Sequence, residues 1–210
     1  MAKKLNIALI GCGNWGKNID RNLHQIGTLA CIYDEDQSLS KKLNQRFNLP
    51  NYTIKDIFEN ENIQALVIAS AAKTHKDLAE EALINNKDVL IEKPFCLSLS
   101  DATTLSRLAM KKNKVLMVGH LLNYHNAFIK MKELIKEDKI GKTKNIRAHR
   151  LALGVIRSHE SVVYDLAVHD ISMILSIMQE LPSEIGVHGI HHNSNIGPDA
   201  ISIKLSFKTG

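Results

Sequence analysis

The chain has 210 residues, 44% hydrophobic and 23% charged, an ordinary globular balance that excludes disordered, collagen-like and coiled-coil chains. No apolar run approaches the ~20 residues that cross a bilayer as a helix. The net charge of +5 comes from lysines spread along the chain, with short runs only at 3–4, 41–42 and 111–114; this reads as a solvated basic surface suited to anionic small molecules, not as a nucleic-acid face.

The first half alternates short apolar runs with helical segments. Leu5–Ile10 reads as a buried strand ending at Gly11, followed by a helix over 14–26. A second strand, Thr28–Tyr33, ends at Asp34. Ser38 is the expected cap of a helix to Phe47, which Leu49-Pro50 stops. Further strands are expected at 65–69, 88–91 and 115–118, and helices at 74–86 and 100–112, the latter capped by Ser100. Short buried strands alternating with helices predict a doubly wound parallel sheet, an α/β fold of Rossmann type. After Gly119-His120 the pattern changes. A helix is expected at 126–140, closed by Gly141, then a strand-like segment at 144–154. An apolar and therefore buried helix follows at 162–178, and two strands near 184–191 and 200–207. This predicts two domains: a dinucleotide-binding domain over 1–121, and the opening part of an α+β domain with an open sheet over 122–210.

Gly11-Cys12-Gly13-Asn14-Trp15-Gly16 is a G-x-G-x-x-G that follows a strand and opens a helix. An acidic residue, Asp34, ends the next strand, close to the spacing of a dinucleotide fingerprint. Gly11 permits the tight turn, Gly13 lets the backbone approach a diphosphate, and Gly16 lets the helix pack against the strand. The helix N-terminus offers N–H groups and a positive dipole end to phosphates. A carboxylate at Asp34 accepts from ribose hydroxyls and repels a 2′-phosphate, with Glu35 and Asp36 adding to the repulsion. The expected cofactor is therefore NAD, favoured over NADP. Gly141-Lys142-Thr143 resembles the end of a P-loop, but Lys136 stands where that motif needs a glycine.

Hydride transfer to or from a dinucleotide needs an acid/base for the substrate proton. Lys93 directly follows a strand at the carboxyl end of the sheet, where ligands bind, and Pro94 restricts its backbone. On the apolar helix, Asp165 and His169 stand at i, i+4. They are either a satisfied core pair or a general base with its orienting carboxylate. Cys12, Cys31 and Cys96 show no metal-ligand or disulfide spacing, and the start Met1–Leu5 lacks the apolar stretch of a secretory leader. Both point to a reducing, cytoplasmic setting. His188, His191 and His192 lie on a predicted strand without carboxylate or thiol partners, so no metal is expected.

Four features in order resemble the Gfo/Idh/MocA family of sugar and cyclitol dehydrogenases. They are Gly11–Gly16, the stretch from Ser70 to Thr74-His75, Glu92-Lys93-Pro94, and Asp165-x-x-x-His169-Asp170. Within the family, Gly13–Asn18, Gly119–Leu122 and His169–Leu175 are most similar to the UDP-N-acetyl-aminosugar-uronate 3-dehydrogenases. The resemblance implies Lys93, Asp165 and His169 as catalytic residues, with His169 taking the hydroxyl proton and Lys93 holding the reacting oxygen. It implies cofactor contacts at Gly11, Gly13, Asn14, Trp15, Gly16, Asp34, Ser70, His75 and Glu92. Tyr124, Arg150 and Arg157 are candidates for binding the substrate, a sugar or UDP-sugar, the arginines through carboxylate or diphosphate groups. Asn126 and Asn123 stand where many relatives carry proline and arginine. The resemblance also implies homo-oligomers, and further strands beyond Gly210 that would leave an exposed sheet edge in this chain alone. The alternatives are an NAD-binding chain that does not turn over, and a dehydrogenase of a free cyclitol or sugar.

Overall fold

Five short strands form one parallel sheet: β1 (Ile7–Ile10), β2 (Leu29–Tyr33), β3 (Ala65–Ile68), β4 (Asp88–Ile91) and β5 (Leu116–Val118). The computed structural model describes residues 4–152, 161–191 and 197–208. The sheet order is β2-β1-β3-β4-β5, with every pair parallel. The connecting helices are α1 (Gly16–Gln25), α2 (Gln37–Phe47), α3 (Ile54–Glu59), α4 (His75–Ile84) and α5 (Leu99–Lys112).

Alternation along each strand divides the core in two. Leu9, Ile32 and Val67 pack with Leu23 of α1 and Leu43 of α2. Ala8, Ile10, Leu66, Ile68, Val89 and Ile91 pack on the other face with Ile57, Ala79, Leu83 and Leu105. This is the two-sided burial that apolar runs such as Ala65–Ile68 predict. Burying each large aliphatic side chain contributes about 1.5–3 kcal/mol against the entropy of ordering the chain. The strand β2 is an edge. Asn44 of α2 covers it from within, accepting from the Ile32 amide at 2.9 Å and donating to the Ile32 carbonyl at 2.8 Å, which satisfies groups that would otherwise invite a further strand.

The helix caps differ from the sequence reading. Asp36, not Ser38, caps α2, accepting from the amides of Ser38 and Leu39. Ser98, not Ser100, caps α5, accepting from the Asp101 amide. In both cases the capping residue is the extended one before the first turn, where its oxygen can reach the free amides. The short helix α3 was not anticipated, although Thr53 and Asp56 form a capping box at its start.

The chain divides into two compact units, one running to Gly119 and one from His120. The second holds a 3-10 turn (Leu121–Tyr124), α6 (Asn126–Lys136), α7 (Val168–Met178), and the antiparallel pair β6 (Glu184–Ile190) and β7 (Ala200–Ser206). Three expectations are corrected here. The helix α6 ends at Lys136 because Asp138 turns the chain through φ 55°, before Gly141 at φ 73°. The described part of 144–154, residues 144–152, forms no strand, since no neighbouring strand among the described residues pairs with it. The helix over 162–178 is half-buried, not fully buried, and opens with a wider π turn at Val163–Ala167; few described elements of this unit are available to cover it. Opposed residues of β6 and β7 share a face, so Ile185, Val187, Ile201, Ile203 and Leu205 form one apolar side. Ile185 and Val187 are 61% and 62% exposed.

Candidate cofactor and acid-base site

The turn after β1 is built as a dinucleotide turn requires. Gly11 has φ 95°, and a Cβ there would lie 2.5 Å from the Ser70 nitrogen, so β1 and β3 approach at a distance only glycine allows. A Cβ on Gly16 would collide with the Gly11 carbonyl. Gly13 is different: a Cβ there would meet nothing within 4 Å. The turn is closed beneath and open above, where a diphosphate would face the N-terminus of α1.

Asp34 is held against this turn. Its Oδ2 accepts from the Cys12 amide at 2.7 Å and its Oδ1 from the Asp36 amide at 2.9 Å. Each carboxylate oxygen has a further lone pair for a ribose hydroxyl. The same environment keeps Cys12 a thiol: burial and then the Asp34 charge push it up to about 12, which removes it as a nucleophile.

At the ends of β3 and β4 the chain is cross-braced. The Ser70 hydroxyl lies 2.7 Å from that of Thr74. His75, anticipated as a cofactor contact, is only 1% exposed; its Nδ1 lies 2.8 Å from the Pro94 carbonyl and its Nε2 3.1 Å from that of Ser70. It ties the β3 end to the Glu92-Lys93-Pro94 corner. Glu92 accepts from the Trp15 indole N–H at 2.8 Å and from the Lys93 amide at 3.3 Å. Burial pushes the Glu92 carboxyl above the usual carboxylate range, and those hydrogen bonds with the Lys93 charge oppose the shift. Lys93 itself is half-buried, two residues beyond β4. Asn14 is exposed at the top of the turn.

In the second unit, Asp165 lies in the π turn and His169 in the first turn of α7. The Val168 amide donates to the Val163 carbonyl, five residues back, so the spacing from Asp165 to His169 is not that of a regular α-helix. Arg150 is not an open anion receptor. It forms a fork with the Asp170 carboxylate, Nε to Oδ2 at 2.8 Å and Nη2 to Oδ1 at 2.9 Å, a paired geometry that neutralises it. Tyr124 is 63% exposed on the turn that packs against α7. Arg157 and His192 lie outside the described residues. Two buried atoms of that turn segment, His120 Nδ1 and Asn123 Oδ1, have no hydrogen-bond partner among the described residues, and burial lowers the His120 basicity. His120 was not singled out from the sequence as a site residue; its place two residues beyond β5 was the available signal. Among the described residues no group of three or more histidines, cysteines or carboxylates could hold a metal, and no helix is long and apolar enough to cross a membrane.

Comparison with known proteins agrees with this geometry. Residues 5–120 match the model of the Gfo/Idh/MocA oxidoreductase family, NAD-binding Rossmann fold. The UDP-N-acetylglucosamine 3-dehydrogenase of Acidithiobacillus ferrooxidans is 26% identical over 187 residues, covering 89% of this chain and 58% of that protein. A solved structure of it superposes with a TM-score of 0.88, covering 98% of this chain and 67% of the other, at 24% identity. The myo-inositol 2-dehydrogenase of Thermotoga maritima is 26% identical over 221 residues, covering 98% of this chain and 66% of that protein. The 2,7-anhydro-N-acetylneuraminate hydratase of Escherichia coli is 22% identical over 224 residues, covering 98% and 59%. The chain thus spans about three fifths of the length of these relatives. With the family match extending over more than half of its residues, the chain belongs to the Gfo/Idh/MocA family of oxidoreductases, with an NAD-binding Rossmann fold.

Proposed function

We propose that the chain carries the cofactor site and the acid–base residues of an NAD-dependent dehydrogenase acting on a ring hydroxyl of a sugar, nucleotide sugar or cyclitol. The observation that carries the reading is the Asp34 carboxylate held 2.7 Å from the Cys12 amide of an open glycine turn. This arrangement combines phosphate donors with a ribose acceptor. Two of the similar proteins are dehydrogenases that act, by name, on a UDP-sugar and on a cyclitol, and both substrates are polyhydroxylated rings.

Gly11, Gly13, Asn14, Trp15 and Gly16 would hold the diphosphate, and Asp34 the adenosine ribose. Ser70 and Glu92 would border the nicotinamide ribose. The nicotinamide, when bound, supplies the hydride acceptor. The residues then divide the remaining work. His169 removes the hydroxyl proton as the C–H bond breaks, Asp165 orients it, and Lys93 donates a hydrogen bond to the oxygen as negative charge grows there. His75 holds the corner that carries Lys93. Because Arg150 is paired with Asp170, substrate recognition falls to hydroxyl- and amide-binding groups, with Tyr124 and Asn123 the candidates on the turn against α7. The cytoplasm, where NAD and sugar substrates are available, is the proposed compartment.

Asp34→Asn tests the cofactor assignment, because it keeps an acceptor for the Cys12 amide and removes the charge. Wild-type chain is expected to bind NAD more tightly than NADP, and Asp34→Asn to narrow that ratio by about tenfold, as expected for losing one charge opposite a phosphate. Calorimetric titration with both dinucleotides reads this directly. A wild-type preference for NADP, or an unchanged ratio in the variant, would refute the role given to Asp34.

A further inference from the structure

The one tryptophan of the chain, Trp15, sits at the N-terminal cap position of α1, inside the glycine-rich turn. Its indole N–H donates to Glu92 Oε1 at 2.8 Å across 77 residues of sequence. Glu92 directly follows β4 and precedes Lys93, so the bond joins two ligand-facing loops that the sheet holds only at their bases. The other oxygen, Oε2, accepts from the Lys93 amide at 3.3 Å. A further contact defines the carboxylate's seat: a Cβ on Gly119, at the end of β5, would lie 2.9 Å from Oε1. The carboxylate is thus lodged between the glycine turn, the lysine corner and a residue without a side chain.

We propose that Trp15 and Glu92 are positioning residues for the cofactor, a strap that holds the glycine-rich turn against the Lys93 corner. This rests on the reading of Gly11–Gly16 as a dinucleotide turn. The strap acts through hydrogen bonding from the indole to a half-buried carboxylate, an arrangement stronger than a neutral pair. It fixes the turn laterally, where Gly13 leaves its upper side open, so that the amides facing the diphosphate are ordered before binding. Phenylalanine at position 15 would keep the ring and lose the donor. Glutamine at position 92 would keep an acceptor oxygen and the shape, whereas methionine would keep only the shape.

Two measurements on the full chain test this. First, the emission of Trp15 reports its own hydrogen bond. Glu92→Met should shift the emission spectrum, while Glu92→Gln should leave it near wild type; an unchanged spectrum in Glu92→Met would overturn the strap in solution. Second, NADH affinity is measured by titration for wild type, Trp15→Phe, Glu92→Met and the double variant. Each single change should weaken binding about tenfold, and Glu92→Gln no more than about threefold. The double variant should be no weaker than the worse single variant, because both remove the same bond. Losses that multiply would overturn the coupling while leaving the dinucleotide site in place. A wild-type chain that binds no NADH would instead overturn the cofactor reading on which the strap depends.

Discussion

Replacing Lys93 by methionine, or His169 by asparagine, is expected to lower turnover about a thousandfold while NADH affinity stays within about threefold. The magnitude follows from the groups removed. A positioned general base contributes roughly 10²–10⁴ in rate, and a donor aimed at a developing oxyanion roughly 10²–10³. The separation of turnover from binding follows from placement. Lys93 lies beyond the end of β4, with the Trp15–Glu92 hydrogen bond between it and the glycine turn, and His169 belongs to the second compact unit. Both are assigned to the reacting oxygen of the substrate and not to the diphosphate. Steady-state NADH formation, paired with a fluorescence titration of NADH, measures both quantities. Turnover unaffected by both substitutions would dismiss the assignment, and a collapse of cofactor affinity in Lys93→Met would move that lysine into the binding site.

The three glycines of the turn are expected to respond to alanine in opposite ways. Gly11→Ala forces a side chain into a backbone at φ 95°, with its Cβ 2.5 Å from the Ser70 nitrogen and 2.6 Å from the Ala69 carbonyl carbon. These backbone atoms cannot easily yield, because the Ala69 N–H donates a hydrogen bond to the Ile10 carbonyl at 2.7 Å. The left-handed conformation costs about 1–2 kcal/mol and the overlap about 1–3 kcal/mol more. A drop in melting temperature on the order of 10 °C is therefore expected. Gly16→Ala meets the Gly11 carbonyl and should behave similarly. Gly13→Ala should fold as stably as wild type, because its Cβ enters open space. That space is where the diphosphate would lie, so the same variant should lose at least about tenfold in NAD affinity. Thermal melting and calorimetry on the three variants check the pattern. A stable Gly11→Ala, or a Gly13→Ala that binds NAD normally, would contradict it.

The parallel sheet was legible in the sequence because strands buried on both faces read as unbroken apolar runs, as in Ala65–Ile68 and Val89–Ile91. The glycine turn was legible because its three residues do separate jobs that only glycine does. Contacts between distant residues were not. Nothing near Arg150 in sequence announces Asp170, yet the pair turns a candidate anion receptor into a neutralised fork. Nor does the sequence around His75 show that two carbonyls, 5 and 19 residues away, lie within hydrogen-bond distance of its ring. Capping was misread by two residues at Ser38 and Ser100 because several polar residues compete at each helix start, and backbone extension decides which one caps. The π turn that carries Asp165 was not legible either. The π turn at Val163–Ala167 leaves the apolar pattern intact while altering the rotation between Asp165 and His169.

The central claim, that the chain takes hydride from a ring carbon bearing a hydroxyl, is tested most directly by following that hydrogen. NAD would be incubated with the chain and a panel of UDP-sugars, free sugars and cyclitols deuterated at the ring carbons, and the reduced cofactor analysed by mass spectrometry. The account predicts NADH carrying one deuterium from at least one ring substrate, with the label absent when Lys93 or His169 is replaced. Cofactor binding without any transfer of deuterium across the panel would contradict it.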